Sequence, residues 1–235
     1  MRTPPDQNLP LLRLPRWASR SGRESRPPAP PASGPPSGPA GPAPTPARTF
    51  TLAPQLKQGL QTAWGNSLPG GNALEQGGIL VQKADHTYEW RAGVGTSGGS
   101  FAANYGDLKT GETLVATAHT HPYSAAEGGY TDVAFSGGDL ANMALASRPE
   151  DSKFVQSGNT VFMVEKTQAF KDYVAAKGEN VAHTAMINTW NTTFAAATGT
   201  FTERVEAAAK AVCKEYHLEY YRGSGDTLTQ VDVSK

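Results

Sequence analysis

The chain is nearly without cysteine: Cys213 is its single thiol in 235 residues. One thiol excludes an internal disulfide and any zinc site built on cysteine pairs. It also excludes a zinc deaminase, which needs a Pro-Cys-x-x-Cys segment. So low a count fits a reducing compartment. Net charge is absent too, because 21 basic residues meet 21 acidic ones. No apolar run approaches the ~18 residues of a membrane span. The first residues lack the uninterrupted apolar core of a secretory signal, and Pro4, Pro5, Pro10 and Pro15 would break the helix of an organelle transit peptide. These absences point to a cytoplasmic protein with no membrane span.

What is present is unevenly spread. Residues 1–50 carry seven Arg against two acids, so the remainder carries an acidic excess of the same size. The folded part is therefore not expected to bind nucleic acid. Residues 1–48 hold most of the 18 prolines, mixed with Ala, Gly, Ser and Arg. Such a segment buries too little apolar area to offset its ordering entropy, and it reads as a disordered or polyproline linker. Leu9, Leu11, Leu12, Leu14 and Trp17 form one apolar cluster inside it.

Residues 49–235 read as one α/β domain. Pro54 opens a helix striped by Leu56, Leu60, Ala63 and Trp64. The run 77–82 reads as a buried strand, and 87–94 alternates like its partner across an 84–86 turn. The glycine-rich 93–99 reads as a flexible connection near the cleft. A serine-protease reading of Ser97 fails because the His base and buried Asp should arrive well upstream on separate strands, whereas only His86 precedes it and is almost adjacent, and a phosphate loop fails for want of a Lys and a following helix. A strand at 114–117 precedes an irregular 123–134. A helix is expected over 136–147, and a hairpin over 154–164 around Ser157-Gly158-Asn159. Helices follow at 169–176 and 180–197. The last helix has Thr200 and Glu203 as a capping box and an apolar face running from Phe201 to Tyr216. A hairpin of 218–222 with 228–233 closes the chain. Cys213, beside that helix's apolar face, reads as inert packing.

The chemistry concentrates in Ala118-His119-Thr120-His121-Pro122. On a strand, residues i and i+2 share a face, so His119 and His121 project together. Two imidazoles at that spacing begin a metal site, and zinc takes His nitrogen at about 2.0–2.1 Å. Asp139 is the expected third ligand, at the start of a helix. Asp132 and Glu127 are alternatives nearer in sequence. A general base must still take the proton of an attacking water. Glu75 is the candidate, because it precedes a strand that could lie beside the His strand. Ser136 could donate to the oxyanion formed at a carbonyl. His86, His183 and His217 are scattered and read as ordinary surface or helix residues.

Glu75 before a Gly-Gly-apolar strand, then His-Thr-His-Pro, then Ser136-x-x-Asp139, resembles the JAMM (JAB/MPN+) metallopeptidase motif. The resemblance covers roughly residues 74–143. It implies an MPN/JAB-like sandwich related to the cytidine deaminase fold, with a mixed central sheet flanked by helices. It implies Zn2+ held by His119, His121 and Asp139, with Glu75 as acid/base and Ser136 at the oxyanion. The activity implied is hydrolysis of an amide in a peptide, isopeptide or protein substrate. The interval from Pro122 to Ser136 exceeds the family's usual seven residues, and in this it is similar to toxin-associated JAB domains. That similarity implies a bacterial effector delivered by a specialised secretion system, with a cognate immunity protein as partner. A catalytically inactive scaffold of the same fold is the competing expectation. An intact Glu75 argues against it.

Overall fold

A computed structural model describes residues 47–234, except 98, 104 and 107. The expected linker and its leucine cluster therefore lie outside the described residues, save Ala47 and Arg48. Strand β1 (Thr49–Thr51) leads into helix α1 (Pro54–Gly65), started by Pro54 as expected of a residue that lacks an N–H. Strands β2 (Gly77–Gln82) and β3 (Tyr88–Ala92) form a hairpin, followed by the short pair β4 (Val94–Ser97) and β5 (Ser100–Ala102). Strand β6 (Thr113–Thr120) carries His119. The chain then crosses over through helix α2 (Gly137–Ala141) to β7 (Ser152–Ser157) and β8 (Thr160–Lys166). Helices α3 (Gln168–Lys177), α4 (Glu179–Ala196) and α5 (Phe201–Glu215) follow, and β9 (Leu218–Ser224) and β10 (Thr227–Gln230) end the fold.

Eight strands form one mixed sheet in the order β1-β10-β9-β8-β7-β6-β2-β3. Every pairing is antiparallel except β6 with β7. Parallel neighbours need a crossover rather than a hairpin, and this crossover brings α2 to the end of β6. Side chains alternate between two cores. On one face Leu56 and Leu60 of α1 pack with Leu80, Ala118, Phe154, Met163 and Tyr221. On the other, Phe135, Leu140, Met186 and Val212 pack with Val155, Phe162, Val164 and Tyr220. His119 lies opposite Val155 in the parallel register, so it faces the second layer, where α2 sits. Among the described residues no helix is long and apolar enough to cross a membrane.

The structure departs from expectation in three places. The helix expected over 136–147 is only α2, followed by a 3₁₀ turn at Asn142–Ala144. Leu145 is extended, and Pro149 disfavours helix in the residue before it, so the chain turns down into β7. The connection at 93–99 is not merely flexible: β4 pairs with β5 and Phe101 stacks on His119 at 6.1 Å. The final hairpin ends at Gln230, although Val231 N still donates to Tyr220 O at 2.8 Å.

Gly77 lies directly across from His119, and a Cβ built there would come within 2.2 Å of the Ala118 carbonyl oxygen. That oxygen is backbone and cannot rotate away. Gly77→Ala is accordingly expected to destabilise the fold by about 3 kcal/mol, read by urea unfolding, since overpacking against fixed backbone lies at the costly end of such changes.

Candidate metal centre

Three separate stretches converge at the end of β6. His119 is the penultimate residue of that strand, and His121 follows just past it. The strand's hydrogen bonding continues, with His121 N donating to Gln156 O at 2.9 Å. Ser157 Oγ holds the His121 carbonyl at 3.1 Å. Between the histidines, Thr120 points to the opposite face and acts as a tie. Its hydroxyl donates to Ser67 Oγ at 2.6 Å, because the Ser67 proton is given to Ala63 O. Thr120 Oγ1 also accepts from Gln76 N at 3.0 Å, and Thr120 N donates to Gln76 O at 2.8 Å. The segment before β2 is thereby stitched to the His strand, which brings Glu75 to the site.

Asp139 stands in the first turn of α2. Ser136 caps that helix, accepting from Asp139 N at 3.1 Å. In return, Asp139 Oδ2 accepts from Ser136 N at 2.9 Å and from Ser136 Oγ at 2.6 Å. This reciprocal box fixes the carboxylate at the helix start. Asp139 Oδ1 lies 3.1 Å from His119 Nε2, and Oδ2 lies 3.2 Å from His121 Nε2. The two Nε2 atoms are 3.1 Å apart. His121 Nδ1 lies 2.9 Å from the Ala134 carbonyl, which only accepts, so Nδ1 carries the proton and Nε2 offers a lone pair. His119, His121 and Asp139 therefore each turn one potential ligand atom to the others in a buried place, close enough to share one metal ion.

Neither alternative ligand joins them. Asp132 has φ +61° and accepts a hydrogen bond from Thr160 Oγ1, which turns it toward β8. Glu127 is exposed at the cleft wall and accepts from Ser124 N at 2.9 Å and Oγ at 2.7 Å. Among the described residues His119, His121 and Asp139 are the one cluster of this kind, and the three other histidines stand outside it.

Compared with protein families, curated proteins and solved structures, the chain has no match.

The electrostatics follow from burial and proximity. Burial pushes the Asp139 carboxyl up, but His119 and His121 outweigh it and hold the group well below the ordinary carboxylate value. Burial lowers His119 despite Asp139. It also works against a charged His121, where Asp139, Glu75 and the Ala134 carbonyl prevail and raise the value. Glu75 Oε1 is 4.0 Å from His121 Nε2. Its carboxyl is pushed up to about 7 by burial, with His121 pulling down and Asp139 pushing up. Cys213 is fully buried, away from the site, and burial pushes its thiol up, which fits inert packing.

The centre opens on a cleft of about 510 Å³. Phe101 and Tyr123 line it, as do residues that no local pattern announced: Tyr105, Arg148 and Lys153. Lys153 Nζ donates to the Asp139 carbonyl at 2.8 Å, tying β7 to the helix that carries Asp139. Burial and Arg148 lower its ammonium while Asp139 and Glu150 raise it, and burial wins. The signal that could have found Lys153 is strand alternation, since it stands two residues before Val155 on the strand that begins at Ser152.

Proposed function

We propose that the chain is a zinc-dependent hydrolase of amide bonds in peptides, isopeptides or proteins, on an MPN/JAB-like fold. The observation that carries the reading is the placement of Glu75. A buried carboxyl near neutrality stands 4.0 Å from His121 Nε2, beside three lone-pair donors. A tetrahedral ion with ligands at about 2.0–2.1 Å has donor–donor edges of about 3.3–3.4 Å. The edges here, 3.1, 3.1 and 3.2 Å, fit that size. Two neutral imidazoles and one carboxylate also leave an open fourth position, as catalytic zinc sites do.

A zinc ion held by His119, His121 and Asp139 would supply Lewis acidity toward water and the substrate carbonyl. Glu75 takes the proton of the attacking water and returns it to the leaving amine; a group near neutrality suits both transfers. Ser136 would serve the developing oxyanion by turning its hydroxyl away from Asp139 Oδ2, which keeps the bond from Ser136 N. Phe101, stacked on His119, shields the imidazole from solvent. The resemblance to toxin-associated JAB domains adds an effector setting and an immunity partner to this proposal. Those two features rest on the resemblance alone.

The test is zinc content by mass spectrometry together with cleavage of a peptide pool. About one zinc per chain is expected, with cleavage lost on chelation and restored by zinc. A chain that takes up no zinc after reconstitution, or that loads zinc and cleaves nothing, leaves the inactive scaffold in its place.

A further inference from the structure

The wall of the cleft beside α2 carries a surplus of positive charge. Lys153 is 6% exposed, and its ammonium makes its hydrogen bond to a carbonyl, not to an acid. Arg148 is half-buried, with Nη1 donating to Tyr105 Oη at 2.7 Å and the guanidinium 5.0 Å from the centre of the Tyr105 ring. Lys166 Nζ donates to the Arg148 carbonyl at 2.7 Å and adds a third cation behind them. Among the described residues no carboxylate forms an ion pair with any of the three. Asp151, the nearest acid in sequence to this wall's strand, pairs with Lys171 instead at 2.8 Å.

Besides Asp139, whose charge is turned to the two histidines, the acid Glu150 is buried nearby. Its Oε1 accepts from Thr117 Oγ1 at 3.1 Å and from Tyr105 Oη at 3.3 Å, while its Oε2 has no hydrogen-bond partner. Glu150 offsets at most one of three positive charges. Its geometric effect is to hold the Tyr105 hydroxyl, which in turn holds Arg148. Leaving a desolvated cation without an ion-pair partner is costly, yet buried Lys153 is kept so, and it lines the cleft together with half-buried Arg148. The acid Glu127 lines the same cleft. Such polarity is what a site needs to orient an acidic substrate.

We propose that Arg148, positioned by Tyr105 and Glu150, and Lys153 form a subsite that takes a carboxylate of the substrate next to the amide to be cut. The Arg148 fork presents parallel N–H donors that match a carboxylate, and Lys153 adds a point charge. Two sources supply this chemistry: the side chain of an Asp or Glu flanking the scissile bond, or a free terminal carboxylate. The inference names a substrate class for the proposed hydrolase and rests on that reading.

The experiment uses the zinc-loaded Glu75→Gln protein, so that binding is read without turnover. It is incubated with two pools of N-acetylated hexapeptides randomised around a central amide, one pool with amidated and one with free C-termini. Retained peptides are identified by mass spectrometry. At least tenfold enrichment of Asp and Glu at one position in both pools is expected for a side-chain ligand. Enrichment confined to the free-acid pool identifies the terminal carboxylate. Either enrichment should collapse in the added variant Arg148→Gln and turn to Lys and Arg in Arg148→Glu, a reversal that a merely structural role would not produce. No acidic enrichment, or enrichment that survives Arg148→Gln, overturns the subsite. Cleavage by the Glu75 protein is read separately. Cleavage without acidic preference removes the subsite and leaves the hydrolase, whereas acid-selective retention without cleavage leaves the subsite and removes the hydrolase.

Discussion

Glu75→Gln is expected to cut amide hydrolysis by about 10³-fold while leaving zinc bound, within the range typical of removing a general acid–base group. Glutamine keeps the shape and loses the proton traffic, and Glu75 is not among the three clustered donors. The pH dependence has a definite sign. The base must be ionised, and its carboxyl stands at about 7, so the rate falls as pH drops through that value. A cation at the three donors favours the carboxylate and moves this limb to lower pH.

The same substitution has an opposite effect on folding. The folded value of Glu75, about 7, lies above its ordinary value of 4.5. Its contribution is therefore most favourable below pH 4.5 and is lost as pH rises through 7. In metal-free protein at pH 8, ionised Glu75 opposes folding by about 3 kcal/mol, and Gln removes that penalty. Urea unfolding of metal-free protein should show Glu75→Gln the more stable at pH 8, with the gap closing toward pH 4.5. A variant as active as the wild type would sink the assigned role.

His121→Ala should abolish zinc binding and with it all zinc-dependent stabilisation. A ligand at a hundred times its dissociation constant stabilises the folded state by about 2.7 kcal/mol. For a fold of this size that is roughly 5–10 °C in melting temperature. Wild-type protein should show this rise on adding zinc, and His121→Ala should show none. Asp139→Asn should behave like His121→Ala, because Asp139 supplies the charge that offsets the ion. Asp132→Ala should keep the shift, since Asp132 is engaged with Thr160. A shift that survives Asp139→Asn and disappears in Asp132→Ala would move the ligand to the earlier acid.

Local chemistry made much of this legible from the residues. Gly77–Gln82, the hairpin around Gly158 and the Thr200–Glu203 capping box each depend on neighbours a few positions away, and each forms where expected. The His pair and the Ser136–Asp139 cap are equally local, so their separate geometries could be anticipated. Choosing Asp139 over Asp132 could not be settled that way, because the left-handed backbone at Asp132 and its bond to β8 depend on the fold. The cations at 148 and 153, the Thr120 tie and the stacking of Phe101 on His119 escaped notice for the same reason. Each joins residues at least 14 positions apart that only the fold brings together. The glycine-rich 93–99 misled because glycine marks both loose loops and close approach. At Gly95 it is the latter, with a Cβ there falling 1.8 Å from the Glu75 carbonyl oxygen.

The parallel contact between β6 and β7 has a kinetic consequence. A crossover closes a long loop before any of its contacts form, so such pairings come late in folding. The centre needs that step, which carries Asp139 over the His strand and sets β7 beside it with Lys153 on the same face. A nascent chain that has reached only His121 offers an incoming ion two weak donors and no cage. Metal capture is then an event of the finished fold rather than its nucleus. The apoprotein should be a cooperative, folded species that waits for its ion, unlike a zinc finger, where the ion organises the chain.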